Sequence, residues 1–283
     1  GWRMTHTQKR ILINDIVMAL STLSAIIGIG FLLWILGVLV TNGLEALSTT
    51  IFTAEGAPPG NSEGGLKHAL IGQLILVSYA ALFGVPLGIL AGTYLSEYGL
   101  KSKMAETIRD ISDIMMSAPS IVIGAFVYAI VVAPMGHFSG WAGSIALAII
   151  MIPIILRTTD DMLQLVPSTL REAAFALGAP KYKVIIQVVY RGAKAGILTG
   201  VLLGVARVAG ETAPLLFTSF NDNFLNTNMN EPMASLTVTI YNYATSPYED
   251  WQQLGWAAAF ILSMFILTLN IIGRLFLLKR KGR

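Results

Sequence analysis

The chain has 283 residues, of which 54% are hydrophobic and only 12% are charged, and its formal net charge is +3. An ordinary globular protein carries roughly 25% charged residues, so this chain has too little charge to cover a water-exposed surface. The composition also excludes a disordered chain. The absence of cysteine excludes a disulfide scaffold, a thiolate zinc site and a cysteine nucleophile.

Six long apolar stretches predict transmembrane helices, because about 20 apolar residues are needed to cross the hydrocarbon core. They cover residues 17–40, 70–95, 111–133, 141–156, 195–219 and 254–273. The first is longer than the apolar core of a signal peptide and ends in Thr41-Asn42-Gly43, so we expect a retained helix. The fourth has only 16 residues and is the weakest of the six predictions.

Lysine and arginine are concentrated on one side of the predicted bundle. Of the 19 basic residues, 17 lie in residues 1–16, 96–110, 157–194 and 274–283, while Lys67 lies on the other side and Arg207 within a span. Cytoplasmic loops accumulate these residues, so both termini are expected in the cytoplasm. The prediction is an all-α integral membrane protein with six transmembrane helices. It has a cytoplasmic N-terminal segment (1–16), a first helix (17–40) and a core (70–278) that contains a long cytoplasmic loop (157–194).

The outer segments, residues 41–69, 134–140 and 220–253, are acidic and partly aromatic. Their acids are Glu45, Glu55, Glu63, Asp222, Glu231, Glu249 and Asp250. The Gly/Pro-rich residues 55–65 predict a mobile loop. The aromatic residues of 220–253 favour an interfacial belt over a surface that receives a partner, because Trp and Tyr are enriched at headgroup depth.

Two spans carry glycines at every fourth position, which lets another helix backbone approach closely. The second span has Gly84, Gly88 and Gly92 with Pro86 among them, and the fifth has Gly192, Gly196, Gly200 and Gly204. Both patterns predict helix-packing faces.

The fifth span also contains Arg207 and Glu211, near the predicted bilayer midplane and on the glycine side of the helix. An arginine facing lipid there would cost at least ~2.5 kcal/mol, so we expect the side chain to face the protein interior. The pair is either a structural ion pair or a charged station on a polar path for an anion, and the intramembrane position favours the path. Pro214 removes a hydrogen bond to Gly210 and would open the helix beside Glu211 and Thr212.

The cytoplasmic loop predicts a short amphipathic helix. It begins either at Pro167 or, if Thr169 and Glu172 form a capping box, two residues later, and it stops at Gly178 before Pro180. A second helix is predicted from residue 181 toward 190. Such helices suit a groove on a soluble protein or, equally, the lipid headgroups.

Two stretches resemble known families. Residues 171–180 resemble the EAA loop of ABC-importer permeases through Arg171-Glu172-Ala173-Ala174-Phe175-Ala176-Leu177-Gly178-Ala179-Pro180. The resemblance implies that Glu172, Ala173, Ala174 and Gly178 transmit closure of an ATPase subunit. One departure is that Tyr190-Arg191 and Ala195 stand where that family usually has Leu-Pro and a second proline.

Residues 206–218, Ala206-Arg207-Val208-Ala209-Gly210-Glu211-Thr212-Ala213-Pro214-Leu215-Leu216-Phe217-Thr218, are similar to the signature of the permease subunits of phosphate importers. The resemblance implies a multi-pass subunit of the prokaryotic plasma (inner) membrane, with Arg207, Glu211 and Thr212 on or beside the substrate path. Its implied partners are a homologous permease (PstC-like), two ATP-binding subunits (PstB-like), an extracytoplasmic phosphate-binding protein (PstS-like), phosphate and the lipid bilayer, and no nucleic acid. No cofactor is expected in this chain. ATP and Mg are expected on the partner ATPase subunits, since the sequence has no Gly-x4-Gly-Lys-Ser/Thr phosphate loop.

Other functions stay open at this point. An intramembrane enzyme is disfavoured because His6, His68 and His137 are scattered, without metal-ligand spacing. The carboxylates Asp110, Asp113, Asp160 and Asp161 are interpreted as solvated flanks; Asp160 and Asp161 could instead orient the loop. A passive anion channel and an importer of molybdate or sulfate are the alternatives to phosphate import, since one Arg/Glu pair does not distinguish tetrahedral anions.

Overall fold

The computed structural model describes residues 3–60 and 63–281 as helices joined by loops, without a strand in that part of the chain. The α-helices are α1 (His6–Ala46), α2 (Thr49–Thr53), α3 (Lys67–Thr93), α4 (Lys103–Ser117), α5 (Ser120–Val127), α6 (Ala133–Met135), α7 (Gly140–Gln164), α8 (Ser168–Ala176), α9 (Lys181–Val184), α10 (Tyr190–Ala209), α11 (Ala213–Leu216), α12 (Leu236–Ala244) and α13 (Glu249–Lys281). Three π-helical turns, Tyr94–Tyr98, Tyr128–Val132 and Ile185–Val189, continue α3, α5 and α9. Residues 1–2 and 282–283 of the predicted cytoplasmic termini, and residues 61–62 of the predicted mobile loop, lie outside the described residues.

Five helical segments of the described chain are long and apolar enough to cross a membrane: His6–Ala46, Lys67–Tyr98, Gly140–Gln164, Lys181–Ala209 and Glu249–Lys279. The sixth candidate is a bent pair, Lys103–Ser117 and Ser120–Met135, whose axes differ by 103°. This corrects the expectation of one straight helix over residues 111–133. Ala118 is extended (φ −67°, ψ 139°), because a residue before proline, here Pro119, is disfavoured in the helical region.

The helix with the weakest prediction, α7, is the most buried of the long helices. It runs on to Gln164, beyond the predicted end at residue 156, because the charged residues that follow are paired within the protein (see below). The two glycine faces pack against α7. Gly84 lies against Met151 and Gly88 against Ile155, and from α10 Gly204 also meets Ile155. The rest of these faces is Gly92 beside Thr159, Gly200 beside Thr158, Gly192 near Val166, and the buried Gly196.

The helix predicted as the fifth span, residues 195–219, differs from its prediction at both ends. The expected separate helix over residues 181–190 is instead the beginning of one continuous helical segment, from Lys181 through the π-helical turn to Ala209. Arg191 and Ala195 stand where the family that this loop resembles usually has prolines, so no residue there breaks the backbone hydrogen bonds. At the other end the helix stops at Ala209 and does not continue to residue 219.

The first helix, α1, lies at the edge of the molecule. It packs against α13, where Gly43 meets Phe260, and Gly43 is its only buried residue in the described part of the helix. Apart from the half-buried Leu39 and Ala46, the other apolar side chains along α1 are exposed on this single chain. In a membrane this surface is suited to lipid or to another helix.

We predict that Gly88→Ala destabilises the protein by about 1–3 kcal/mol, the usual cost of overpacking. A Cβ at this position would lie 2.8 Å from Cβ of Ile155, which cannot move without displacing α7. The measurement is the thermal unfolding midpoint of the purified protein. Gly30→Ala on α1 is the matched control, because nothing lies within 4 Å of its added Cβ. Equal midpoints for the two variants would contradict the packing role of Gly88.

Candidate functional site

The helix that carries Arg207 is interrupted just after it. Ala209 is the last residue of α10, Gly210 caps it (φ −92°, ψ 0°), and α11 begins again with Pro214 in its first turn. Arg207 therefore lies in the last turn of a helix, where a cation is favoured by the helix dipole, and not in the middle of a continuous span. The predicted opening beside Glu211 and Thr212 is a complete break of the helix.

The ion pair of Arg207 and Glu211 is loose. Nε of Arg207 is 4.0 Å from Oε1 of Glu211, and the side chains are 57% and 16% exposed, respectively. Arg207 borders a small recess with Met115, Ser120 and Ile154, beside the bend between α4 and α5. A guanidinium has five N–H donors, so this geometry leaves donors directed to the exposed face. The sequence interpretation expected Arg207 to face the protein interior. In this chain its side chain is instead more than half exposed.

A buried glutamine holds the broken helix end in place. Gln73 of α3 donates from Nε2 to the carbonyl oxygen of Ala209 (2.8 Å) and accepts at Oε1 from the backbone N–H of Leu236 (3.0 Å). The last carbonyls of a helix lack partners within the helix, so Gln73 satisfies one of them and the first turn of α12 together. An isolated polar residue in an apolar span more often bonds to a neighbouring helix than lines a path, and Gln73 does so. Its one signal was that it is the only amide side chain in the second apolar stretch.

The predicted coupling segment forms the short helix α8, which begins after Pro167 without a side-chain cap. The capping box of Thr169 and Glu172 is therefore wrong. Gly178 has φ +83°, a left-handed conformation that favours glycine, so the predicted stop signal is present.

Much of the surface of α8 is exposed. Leu177, at its C-terminal end, is 90% exposed. Glu172 and Ala173 are exposed as well, whereas Ala174 packs against the buried cluster of Leu163, Val166 and Val184. Leu170 and Phe175 are exposed as well, 49% and 45%, and several exposed apolar side chains on one short helix suit contact with another molecule.

Arg171 fixes α8 to the two central helices. Its Nη2 and Nε donate to the carboxylate of Glu97 (2.7 and 3.0 Å), at the end of the helical segment that continues α3. Its guanidinium also donates to the carbonyl oxygens of Leu163 (2.7 Å) and Val166 (2.6 Å), beyond which α8 begins. Sequence reasoning missed this clamp, although Arg171 stands directly before Glu172 in the family motif.

Asp160 is the centre of a second polar cluster at the same end of the molecule. Its side chain is 1% exposed and receives two hydrogen bonds from Arg109, at 2.9 and 3.2 Å. Gln164 donates a third at 2.9 Å, and Arg157 lies 3.7 Å away while also pairing with Asp113 at 3.1 Å. The interpretation of Asp160 as a solvated flank is therefore wrong. The cluster ties α4 to α7.

The order of elements around this geometry is that of a known family. A family model described as "Binding-protein-dependent transport system inner membrane component" matches residues 84–281. The chain belongs to this family.

Relatives of this transport component cover almost its whole length. The phosphate transport system permease protein PstA of Haemophilus influenzae is 53% identical over 280 residues, which cover 99% of this chain and 96% of that protein. The PstA of Yersinia pestis is 50% identical and covers 95% of this chain and 91% of its own. PstA 1 of Mycobacterium tuberculosis is 35% identical and covers 94% and 88%. The predicted resemblance to the permease subunits of phosphate importers is confirmed.

A solved structure shares the fold of this transport component. The MetNI methionine ABC transporter in an inward-facing conformation has a chain that aligns with a TM-score of 0.58 at 18% identity, covering 75% of this chain and 93% of its own. At this identity the likeness shows the fold alone. The predicted all-α fold with several membrane spans is confirmed.

We predict that Asp160→Asn strongly destabilises the protein, by about 3–5 kcal/mol, because it leaves two partly buried arginines without their shared carboxylate. The measurement is thermal unfolding of the purified protein. Asp161→Asn is the matched control, because Asp161 is the next residue in the chain and its side chain is exposed. A surface change of this kind alters stability by no more than about 0.5 kcal/mol. If both variants unfolded at the same temperature, Asp160 would not be the organising group.

Proposed function

We propose that this protein is the transmembrane permease subunit of an ATP-driven importer for inorganic phosphate, and that it forms half of the translocation path with a homologous permease. The observation that carries the proposal is its similarity, over 99% of its length, to a protein named as a phosphate transport permease. The geometry adds an anion-binding side chain, Arg207, at a broken helix. Phosphate as the substrate rests on the relatives, because a guanidinium binds any tetrahedral oxyanion.

The orientation of the chain follows from its charge. The basic segments 96–110 and 157–194 meet at one end of the bundle, where Arg109 binds Asp160 and Arg171 binds Glu97. By the rule that positive loops stay inside, this basic end faces the cytoplasm. The protein would then be a multi-pass component of the prokaryotic plasma (inner) membrane, with the predicted outer segments 41–69, 134–140 and 220–253 on the outer side.

Arg207 is the group we assign to phosphate. Its long contact with Glu211 leaves the planar donor fork free to make two parallel hydrogen bonds to a tetrahedral anion. Glu211 and Thr212 follow in the non-helical break. We propose that Glu211 accepts the hydrogen bond of the proton that phosphate keeps near neutral pH, and repels a fully deprotonated anion such as sulfate.

The partners follow from the exposed coupling helix and from the family. The surface of α8 around Glu172, Ala173 and Leu177 is assigned to one of two ATP-binding subunits (PstB-like), which supply ATP and Mg, and Gly178 ends the helix there. The outer side receives an extracytoplasmic phosphate-binding protein (PstS-like), and the exposed face near Arg207 meets the homologous permease (PstC-like). This chain supplies no ATP site.

We predict that Arg207→Ala abolishes phosphate uptake while the subunit still folds and the complex still assembles, because the side chain makes only one long ionic contact within this chain. The measurement is accumulation of labelled phosphate in vesicles that contain all four kinds of subunit, with and without ATP. Arg207→Lys keeps the charge but not the fork, so partial uptake is expected.

Three outcomes would contradict this proposal. Failure of the Arg207→Ala complex to assemble would give the arginine a structural role. Flux that runs only downhill and ignores ATP would indicate a passive channel, and competition by sulfate or molybdate equal to that by phosphate would indicate a different oxyanion.

We predict that Leu177→Glu prevents coupling to the ATPase without unfolding the permease, because the side chain is 90% exposed and has little packing to lose. The measurement is co-purification of the ATP-binding subunit, together with the thermal unfolding midpoint. Leu100→Glu is a control of similar residue type, 63% exposed and outside α8. Normal ATPase binding by the Leu177 variant would remove the assignment of this surface.

A further inference from the structure

A polar cavity of about 350 Å³ lies at the outer end of the molecule, away from Arg207 and from the coupling helix. It is formed where the beginning of α3, the segment after α11, α12 and the start of α13 meet. The residues that matter for its chemistry are His68, Asn221, Thr239, Tyr243, Tyr248 and Trp251.

The cavity contains buried polar atoms that no group of the described residues satisfies. His68 and Thr239 are each 2% exposed, yet Nδ1 of His68 and Oγ1 of Thr239 have no hydrogen-bond partner among residues 3–60 and 63–281. Oδ1 of Asn221 is also without one. A buried polar atom without a partner is costly, so their convergence on one cavity indicates a polar occupant. The side-chain oxygen of Asn221 can only accept a hydrogen bond, so the occupant of the cavity must supply a donor.

The surroundings of the cavity suit a cation. Two acids, Glu55 and Asp222, belong to the segments that precede α3 and follow α11. The cavity wall includes Trp251, whose ring centroid is 5.0 Å from that of Tyr243 and 5.7 Å from that of Tyr248. Aromatic rings attract cations, and the described residues that line this cavity include no lysine or arginine. These surroundings disfavour phosphate.

The position of the cavity identifies the source of the cation. The predicted outer segments hold seven acids and a single basic residue, Lys67, so the outer face attracts a basic partner surface. Three of the six aromatic residues that the sequence assigned to an interfacial belt, Tyr243, Tyr248 and Trp251, line the cavity instead, and Nε1 of Trp251 donates to the carbonyl oxygen of Ala57 (3.2 Å). This arrangement agrees with the alternative interpretation, a surface that receives a partner.

We propose that this cavity binds a lysine or arginine side chain of the protein that docks on the outer face. The inference rests on the proposed function, which supplies that protein as the extracytoplasmic phosphate-binding protein. The cationic group donates to Oγ1 of Thr239 and Oδ1 of Asn221, and the rings of Tyr243, Tyr248 and Trp251 surround its alkyl stem.

The test measures the affinity of a fluorescently labelled phosphate-binding protein for the complete transporter in lipid nanodiscs. Thr239→Val removes the unpaired hydroxyl without changing its shape, and should raise the Kd about 10-fold, the usual effect of losing a hydrogen bond to a charged group. The matched control is Thr237→Val on the same helix. Its hydroxyl is already paired with Ser235 at 3.3 Å, so the Kd should not change.

A second measurement uses the unmodified transporter and does not depend on folding of a variant. Butylguanidinium, a mimic of the arginine side chain, should compete with the labelled protein, whereas the neutral isostere butylurea should not. Competition by butylguanidinium should disappear in His68→Gln combined with Thr239→Val.

The outcomes separate the cavity from the proposed function. Normal docking that neither Thr239→Val nor butylguanidinium weakens would overturn the proposal and leave the cavity as a water-filled space. If the phosphate-binding protein did not associate and ATP drove no phosphate uptake, the proposed function would fail. If ATP drove normal phosphate uptake and the cavity variants bound the phosphate-binding protein with the Kd of the unmodified transporter, the cavity assignment alone would be wrong.

Discussion

Close packing of α3 and α10 on the central helix α7 is the constraint on which the other features depend. In a bilayer the lipid tails are as apolar as the side chains, so helices associate through close contact and interhelical hydrogen bonds. Gly88 and Gly204 approach Ile155 from two different helices, which brings three backbones together at one residue of α7. This contact fixes where the ends of α3 and α10 lie, and therefore where Gln73 meets the carbonyl of Ala209.

The polar groups of the molecule fall into two kinds: those that the packed helices supply with hydrogen-bond partners, and those that they leave without a full set. At the basic end, Glu97 and Asp160 are buried and each has a full set of donors, from Arg171 and Arg109. These contacts join α8 to α3, and α4 to α7, in one continuous set. Arg109 completes it by donating to the carbonyl oxygen of Leu95, two residues before Glu97. These contacts hold α8 against the bundle, while its other side stays exposed.

Arg207 and the outer cavity are the opposite case, because their polar groups are left incompletely satisfied. The arginine lies at a helix end beside the bend that Pro119 imposes, and Glu211 reaches it only at 4.0 Å. The cavity retains unpaired atoms on His68 and Thr239. A protein keeps such groups where something else binds them, so both places are candidates for ligands of opposite charge: an anion at Arg207 and a cation at the outer face.

The sequence by itself determined the class of this protein, because 54% hydrophobic residues, long apolar stretches and glycines at every fourth position depend only on local composition and periodicity. It also marked Arg207, Glu211 and the α8 segment, since a charge in an apolar stretch and a helix between Pro167 and Gly178 are visible in the chain. Only the tertiary structure decided that α7 is the centre, that Asp160 is buried, and that Gln73 caps α10. Each of these depends on partners that are distant in sequence, 136 residues in the case of Gln73 and Ala209. Periodicity shows which face of a helix is apolar, but not which other helix will cover it or which remote donor will satisfy its polar atoms.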